Sequence, residues 1–185
     1  MHNNEKLKAS NWRNGELDPY SEKGRGYIIE QFVCKPLGVK NLNVESNTSC
    51  AKYDTTRHDI FGNIQIKGST FNGHYYMTNI RMEEEFDTLI FVCMDQYIPW
   101  KNVRKMYAIQ SIELIGETNI YIYEDWSKLR YSSGCQRVSK FERLEKYRID
   151  EKPFNESYHN LTIEDCPALR KDKFIEWLKI MKEEI

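Results

Sequence analysis

A chain of 185 residues, 40% hydrophobic and 30% charged, has the make-up of one globular domain large enough to bury a real core. Its net charge of -1 counts against a protein held to nucleic acid by overall charge alone, and no run approaches the roughly eighteen apolar residues needed to span a bilayer. Met1 to Lys8 is polar and lacks the apolar core of a signal peptide, so a cytoplasmic protein without a membrane partner is expected.

Residues 1–21 read as a polar N-terminal arm with Trp12 as its anchor, followed by a single domain over 22–185. From Gly24 to Val33, apolar side chains at 29, 32 and 33 have helical spacing, with Pro36 and Gly38 as the stop. Arg57 to Lys67 reads as two short strands around a turn centred on Gly62, because Ile60, Ile64 and Ile66 are β-branched and Gly-Asn is a frequent hairpin connection. A three-residue loop, Phe61 to Asn63, would pair Asp59 with Gln65, Arg57 with Lys67 and Ile60 with Ile64. That register gathers the polar groups on one face. Phe86 to Met94 is an apolar run of strand length and is expected to be a buried central strand. A helix is predicted after Trp100, carrying Val103, Met106, Tyr107 and Ile109 or Gln110 on successive turns, and Asn119 to Tyr123 alternates as a further strand. Thr162 to Asp165 has the pattern of a capping box, opening a helix over about 164–185 with Phe174, Trp177, Leu178, Met181 and Ile185 along one face. That stripe either packs on the core or forms a dimer seam.

The predicted hairpin is where the chain carries chemistry. A carboxylate and an amide oxygen a few ångströms apart suit a hard divalent cation, Mg²⁺ foremost, and Lys67 on the same side can hold a phosphate oxygen or orient an attacking water. Asp59, five residues, then Gln65-Ile66-Lys67 resembles the core of the PD-(D/E)xK nucleases, the superfamily of most type II restriction endonucleases. Three features depart from that pattern: His58 stands where the family has Pro, Gln65 replaces the middle acid as in a minority variant, and the two half-motifs lie closer together than in many members. The resemblance covers about residues 22–125 and implies a mixed α/β restriction-endonuclease-like core, a central mixed β-sheet flanked by helices. It also implies a metal held by Asp59, Gln65 and Glu30, the last from the helix before the hairpin, with Lys67 completing the catalytic set. Mn²⁺ is the expected substitute for Mg²⁺, and no small-molecule cofactor is implied. A glutamate at position 30 is otherwise a solvated surface group.

From Lys128 to Arg148 seven basic residues stand against Glu142 and Glu145, a local net charge of +5. Within it, Gln136 and Arg137 lie in a stretch of loop composition and carry donors suited to base edges, while Lys140 and Arg143 follow at helical spacing and suit phosphates. A solvated helix of mixed charge is the alternative. Arg57, Ser69 and His74 complete the DNA-contacting candidates, with His74 also readable as a surface-loop histidine. His58 falls on the apolar face, where a hydrogen-bonded core histidine is expected rather than a ligand, and Glu45 and Asp54 precede the hairpin and could add a metal ligand, with nothing in their spacing to single them out. Five cysteines at 34, 50, 93, 135 and 166 form no CxxC pair and have no histidine at zinc spacing, so buried free thiols and no zinc site are expected.

The resulting expectation is a Mg²⁺-dependent, sequence-specific endonuclease of double-stranded DNA, a type II restriction enzyme acting as a homodimer. A homing endonuclease, a junction resolvase or a nicking repair enzyme keeps the same fold, and a non-catalytic nucleic-acid-binding domain is the reading from another class.

Overall fold

The computed structural model describes residues 15–45, 53–70, 74–77, 85–114, 120–123 and 145–183; at 44–45, 74–77 and 120–123 only the backbone is described. The first helix, α1 (Glu22–Leu37), starts where Ser21 Oγ accepts the Gly24 N–H at 3.0 Å, with Glu22 complementing the positive end of the helix. Gly38 ends it in the left-handed conformation (φ 64°), and the Val39 N–H reaches back to the Cys34 carbonyl at 3.3 Å. Pro36 lies inside the last turn and costs one backbone bond without stopping the helix. A single further turn, α2 (Leu42–Glu45), follows.

The strands are β1 (Ile64–Thr70), β2 (His74–Met77), β3 (Thr88–Met94), β4 (Val103–Gln110), β5 (Ile120–Tyr123) and β6 (Arg148–Ile149). Four of them form a mixed sheet in the order β1-β3-β4-β6, parallel between β1 and β3 and antiparallel elsewhere, while β2 and β5 pair antiparallel as a separate ribbon. The fold is thus mixed α/β, as expected. β3 is buried at every position and hydrogen-bonded on both sides, the central strand foreseen from its apolar run.

Residues 103–110 are a strand and not the predicted helix. Met94 pairs with Val103 but Cys93 pairs with Lys105, so β4 carries one extra residue at a bulge. The bulge lets Val103 and Met106, three residues apart, both enter the same core, while Tyr107 and Ile109 are buried as well. A bulged strand with both faces covered thereby imitates helical spacing.

Two helices, α3 (Lys152–His159) and α4 (Lys171–Lys182), share the core with α1. Trp177 stands edge-on to Trp100 at 5.5 Å and to Tyr20 at 5.2 Å, and Phe32 lies 5.1 Å from Tyr158. The Tyr158 hydroxyl donates to the Trp100 carbonyl at 2.8 Å and accepts from Trp177 Nε1–H at 3.2 Å, so the two polar atoms satisfy each other inside an aromatic cluster. Phe174, Trp177 and Met181 are buried within the chain, which places the C-terminal stripe on the core; Ile185 lies outside the described residues. The helix starts at Lys171 rather than near 164, because Thr162 and Asp165 close a turn on each other and the chain beyond it makes a second turn, Leu169 N–H to Cys166 O at 3.1 Å, and is bonded to residues 15–17. Gly15 N–H donates to Pro167 O at 3.0 Å, Leu17 N–H to Ala168 O at 2.9 Å and Arg170 N–H to Leu17 O at 2.8 Å. The end of the expected arm is therefore stitched to the domain, while Trp12 lies outside the described residues.

Cys34, Cys93 and Cys166 are buried free thiols, as expected, and Cys50 and Cys135 lie outside the described residues. Among the described residues no helix is long and apolar enough to cross a membrane.

Trp177 is fully buried and central to the aromatic cluster. Trp177→Ala is expected to lower the unfolding free energy by about 3–5 kcal/mol, read from the urea midpoint at unchanged slope.

Candidate functional site

The turn that organises the site lies two residues earlier than the Gly-Asn pair suggests. His58 and Gly62 exchange both backbone bonds (2.8 and 2.9 Å), enclosing Asp59, Ile60 and Phe61 as the loop. His58 Nδ1 accepts the N–H groups of Ile60 and Phe61, each at 3.1 Å, and the ring stacks on Phe61 at 5.1 Å. Asp87 and Thr88 hold the far side: Asn63 N–H donates to Asp87 Oδ2 at 2.8 Å and Thr88 Oγ1 to Phe61 O at 2.7 Å. Gly62 has φ 67°, and a Cβ there would collide with the Asp87 carboxylate. A side-chain acceptor and a distant carboxylate thus override the local preference of Gly-Asn for the loop centre.

This turn corrects the expected register. Asp59 is exposed at the loop tip instead of facing Gln65, Ile60 is 83% exposed instead of pairing with Ile64, and the exposed Arg57 lies 3.4 Å from Asp87 Oδ2 instead of facing Lys67. His58 is hydrogen-bonded, as expected, but it is half-buried as a loop cap and not a core residue.

The acid that meets β1 is Asp54. Its N–H donates to Ile64 O at 2.9 Å, and its Oδ2 accepts the Ile66 N–H at 2.7 Å, so the side chain takes the place of a backbone partner along the strand edge. That bond holds the carboxylate beside Gln65 and Lys67, which alternate on β1 with the core residues Ile64 and Ile66. Gln65 is buried and Lys67 half-buried.

Glu30 joins Asp54 from α1. The segment after the helix is sewn to the run before the turn: Leu42 N–H donates to Asp54 O at 2.8 Å, Thr56 N–H to Lys40 O at 2.9 Å, and Asn41 bridges Thr55. Two asparagines are thereby carried to the acids. Asn41 Nδ2 donates to Glu30 Oε2 at 2.8 Å and to Gln31 Oε1 at 3.1 Å; Asn43 Nδ2 donates to Glu30 Oε2 and to Asp54 Oδ1, both at 3.1 Å. Glu30 is therefore turned into the cluster and is no solvated surface group.

Burial, and then the neighbouring Asp54 charge, push the Glu30 carboxyl up to about 8 against the pull of Asn43, Asn41 and Lys67. Burial also raises Asp54, opposed by the Ile66 N–H, Lys67 and Asn43. With all three groups ionised, two carboxylates face one ammonium, and the surplus negative charge in a desolvated setting is what a cation would relieve. Among the described residues no three His, Cys, Asp or Glu side chains form a metal-ligating group. The ligand atoms that meet here are those of two carboxylates, hard oxygen donors that fit Mg²⁺ or Mn²⁺ rather than zinc, and Gln65 is the nearby β1 residue that could add an amide oxygen.

Of the other candidates, Ser69 lies on β1 at the alternation of Gln65 and Lys67 and donates to Thr70 O at 3.3 Å, and His74 pairs through its backbone with Tyr123. The Glu45 and His74 side chains, and Gln136, Arg137, Lys140 and Arg143 altogether, lie outside what is described. Asn41 and Asn43 were missed from the sequence, where two asparagines after a helix stop read as loop residues. No protein-family model matches this chain, and no curated protein is significantly similar to it.

Because folded Glu30 holds its proton more tightly than the unfolded chain does, its contribution to stability is present at low pH and is lost as pH rises from about 4.5 to about 8. In a metal-free buffer the unfolding free energy is expected to fall across that window by up to about 1.4 kcal/mol per pH unit, and Glu30→Gln to flatten the slope, measured by urea titrations at stepped pH.

Proposed function

We propose that the chain is a Mg²⁺-dependent endonuclease of double-stranded DNA with a PD-(D/E)xK-like site built from Glu30, Asp54, Gln65 and Lys67, and that Asp54 takes the role the sequence had suggested for Asp59. The observation that carries this reading is the meeting of two carboxylates, Asp54 buried and Glu30 half-buried, with an ammonium group from the edge strand β1, on which Gln65 lies two residues before Lys67. With Asp54 as the first acid, ten residues separate it from Gln65, which removes the unusually short interval as a departure from the family pattern. Tyr53 precedes that acid where the family has Pro. The parallel pairing of β1 with a fully buried central strand, and α1 bringing its glutamate to β1, support a restriction-endonuclease-like core.

Asp54, Glu30 and the Gln65 carbonyl would hold the cation, which when bound supplies positive charge to the scissile phosphate and acidifies a water. Lys67 supplies a positive charge of its own: its aliphatic stem rises from β1 and its ammonium either binds a phosphate oxygen or orients the attacking water. In-line displacement at phosphorus breaks the bond to the 3′ oxygen and leaves 5′-phosphate and 3′-hydroxyl ends, as the family resemblance implies. Cutting both strands calls for two such sites, and a two-fold homodimer is the assembly proposed for it; the α4 stripe, used up inside the chain, does not provide its seam.

Asp54→Asn and Lys67→Ala are each expected to slow cleavage of plasmid DNA in Mg²⁺ by roughly 10²–10³-fold, while Asp59→Ala stays close to the unaltered protein. Rates come from the loss of supercoiled plasmid with time, and sequencing the ends separates discrete short sites from branched or nicked substrates. Full activity of Asp54→Asn would overturn the site.

A further inference from the structure

Asn43 touches both acids through one nitrogen: its two amide hydrogens go to Glu30 Oε2 and to Asp54 Oδ1, each at 3.1 Å. Nothing in the family pattern calls for an amide at this place. Its own position is fixed in turn, since its backbone N–H donates to Asn41 Oδ1 at 3.0 Å. Asn41 spends its amide hydrogens on Glu30 and on Gln31 Oε1, and the Gln31 Nε2 donates to the Asp165 carbonyl, in the turn before α4. The donors are thus braced from two elements and not left to find their rotamers.

We infer that Asn43, seconded by Asn41, is a positioning residue for divalent-cation binding, a claim that rests on the endonuclease reading and adds to it a part that the reading does not contain. The chemistry of the amide explains the choice. A lysine or arginine in this place would orient both carboxylates too, but would cancel the surplus negative charge on which cation binding depends. A hydroxyl has one hydrogen and cannot serve two acceptors at once. An amide supplies two donors and no net charge, so it sets the spacing and orientation of the carboxylates and leaves their charge for the cation. Outer-sphere partners of this kind are worth roughly 10–100-fold in metal affinity.

The test is calorimetric titration with Mn²⁺ on the full chain without DNA, paired with urea unfolding. Asn43→Ala is expected to weaken Mn²⁺ binding by roughly 10–100-fold, and Asn43→Lys to abolish it, while both variants stay folded. Asn43→Ser, keeping one donor, should fall between Asn43→Ala and the unaltered protein. If Asn43→Ala loses stability but its folded form binds Mn²⁺ as tightly as the unaltered protein, the residue is merely structural and the inference fails, with the endonuclease reading untouched. If the unaltered chain binds no Mn²⁺, the failure lies in the reading itself, and the positioning role falls with it. Should Asn43→Ala fail to fold, Asn43→Ser carries the test: affinity equal to that of the unaltered protein overturns the inference, and an intermediate loss supports it.

Discussion

Two carboxylates drawn out of water and into each other's field are the constraint around which this molecule is arranged. Left alone, Glu30 and Asp54 would each favour a surface position, because a buried, ionised acid is tolerated only with partners. The chain supplies those partners from several directions: a strand N–H at Ile66, two asparagine amides and the Lys67 ammonium. None of these by itself would offset the burial of a charge. Together they hold the acids in place and oppose, without cancelling, the rise in proton affinity that burial imposes, the condition in which a cluster gains from a cation.

The means of assembly is an edge strand with an unusual neighbour. In the sheet, β1 has β3 on one side, and on the other the run from Asp54 to His58 accompanies only its beginning. At Ile66 that run stops pairing through its backbone, and the Asp54 side chain accepts the strand N–H instead. One bond therefore does two things: it satisfies a strand edge that would otherwise be open, and it carries a carboxylate to the residues next along β1. The tight turn over residues 59–61, pinned by His58 and Asp87, sets which acid reaches that point.

That turn also explains what was legible in the sequence. The central strand, α1 and the core-facing C-terminal stripe could be read, because each depends on local periodicity or on residues close in the chain. The acid that meets β1 could not be located. Choosing between Asp54 and Asp59 requires knowing that His58 caps the loop and that Asp87, 24 residues beyond Asn63, receives its N–H. β4 failed for a different reason, since one bulge at Arg104 turns period two into an apparent period three. Asn41 and Asn43 carry no local signal at all; their importance comes from the backbone bonds that join residues 40–42 to 54–56.

The distance between helix and strand completes the arrangement. A Cβ at Gly68 would collide with the Ile29 side chain, so α1 lies closer to β1 at this point than any other residue type in the strand would allow without a shift of Ile29. Ile29 precedes Glu30 and Gly68 follows Lys67, and the close approach is therefore made one residue from each of the two charges it brings together. Strand interiors ordinarily gain from a branched side chain, and a glycine there forgoes that packing. Here the loss is local, while the core behind it, with Ile28, Phe32 and Val33 fully buried on α1, holds the helix in place. The electrostatic tension at the site is thus sustained by apolar packing one helical turn away, which lets a small domain keep two acids and a lysine within reach of one another before any ion is present.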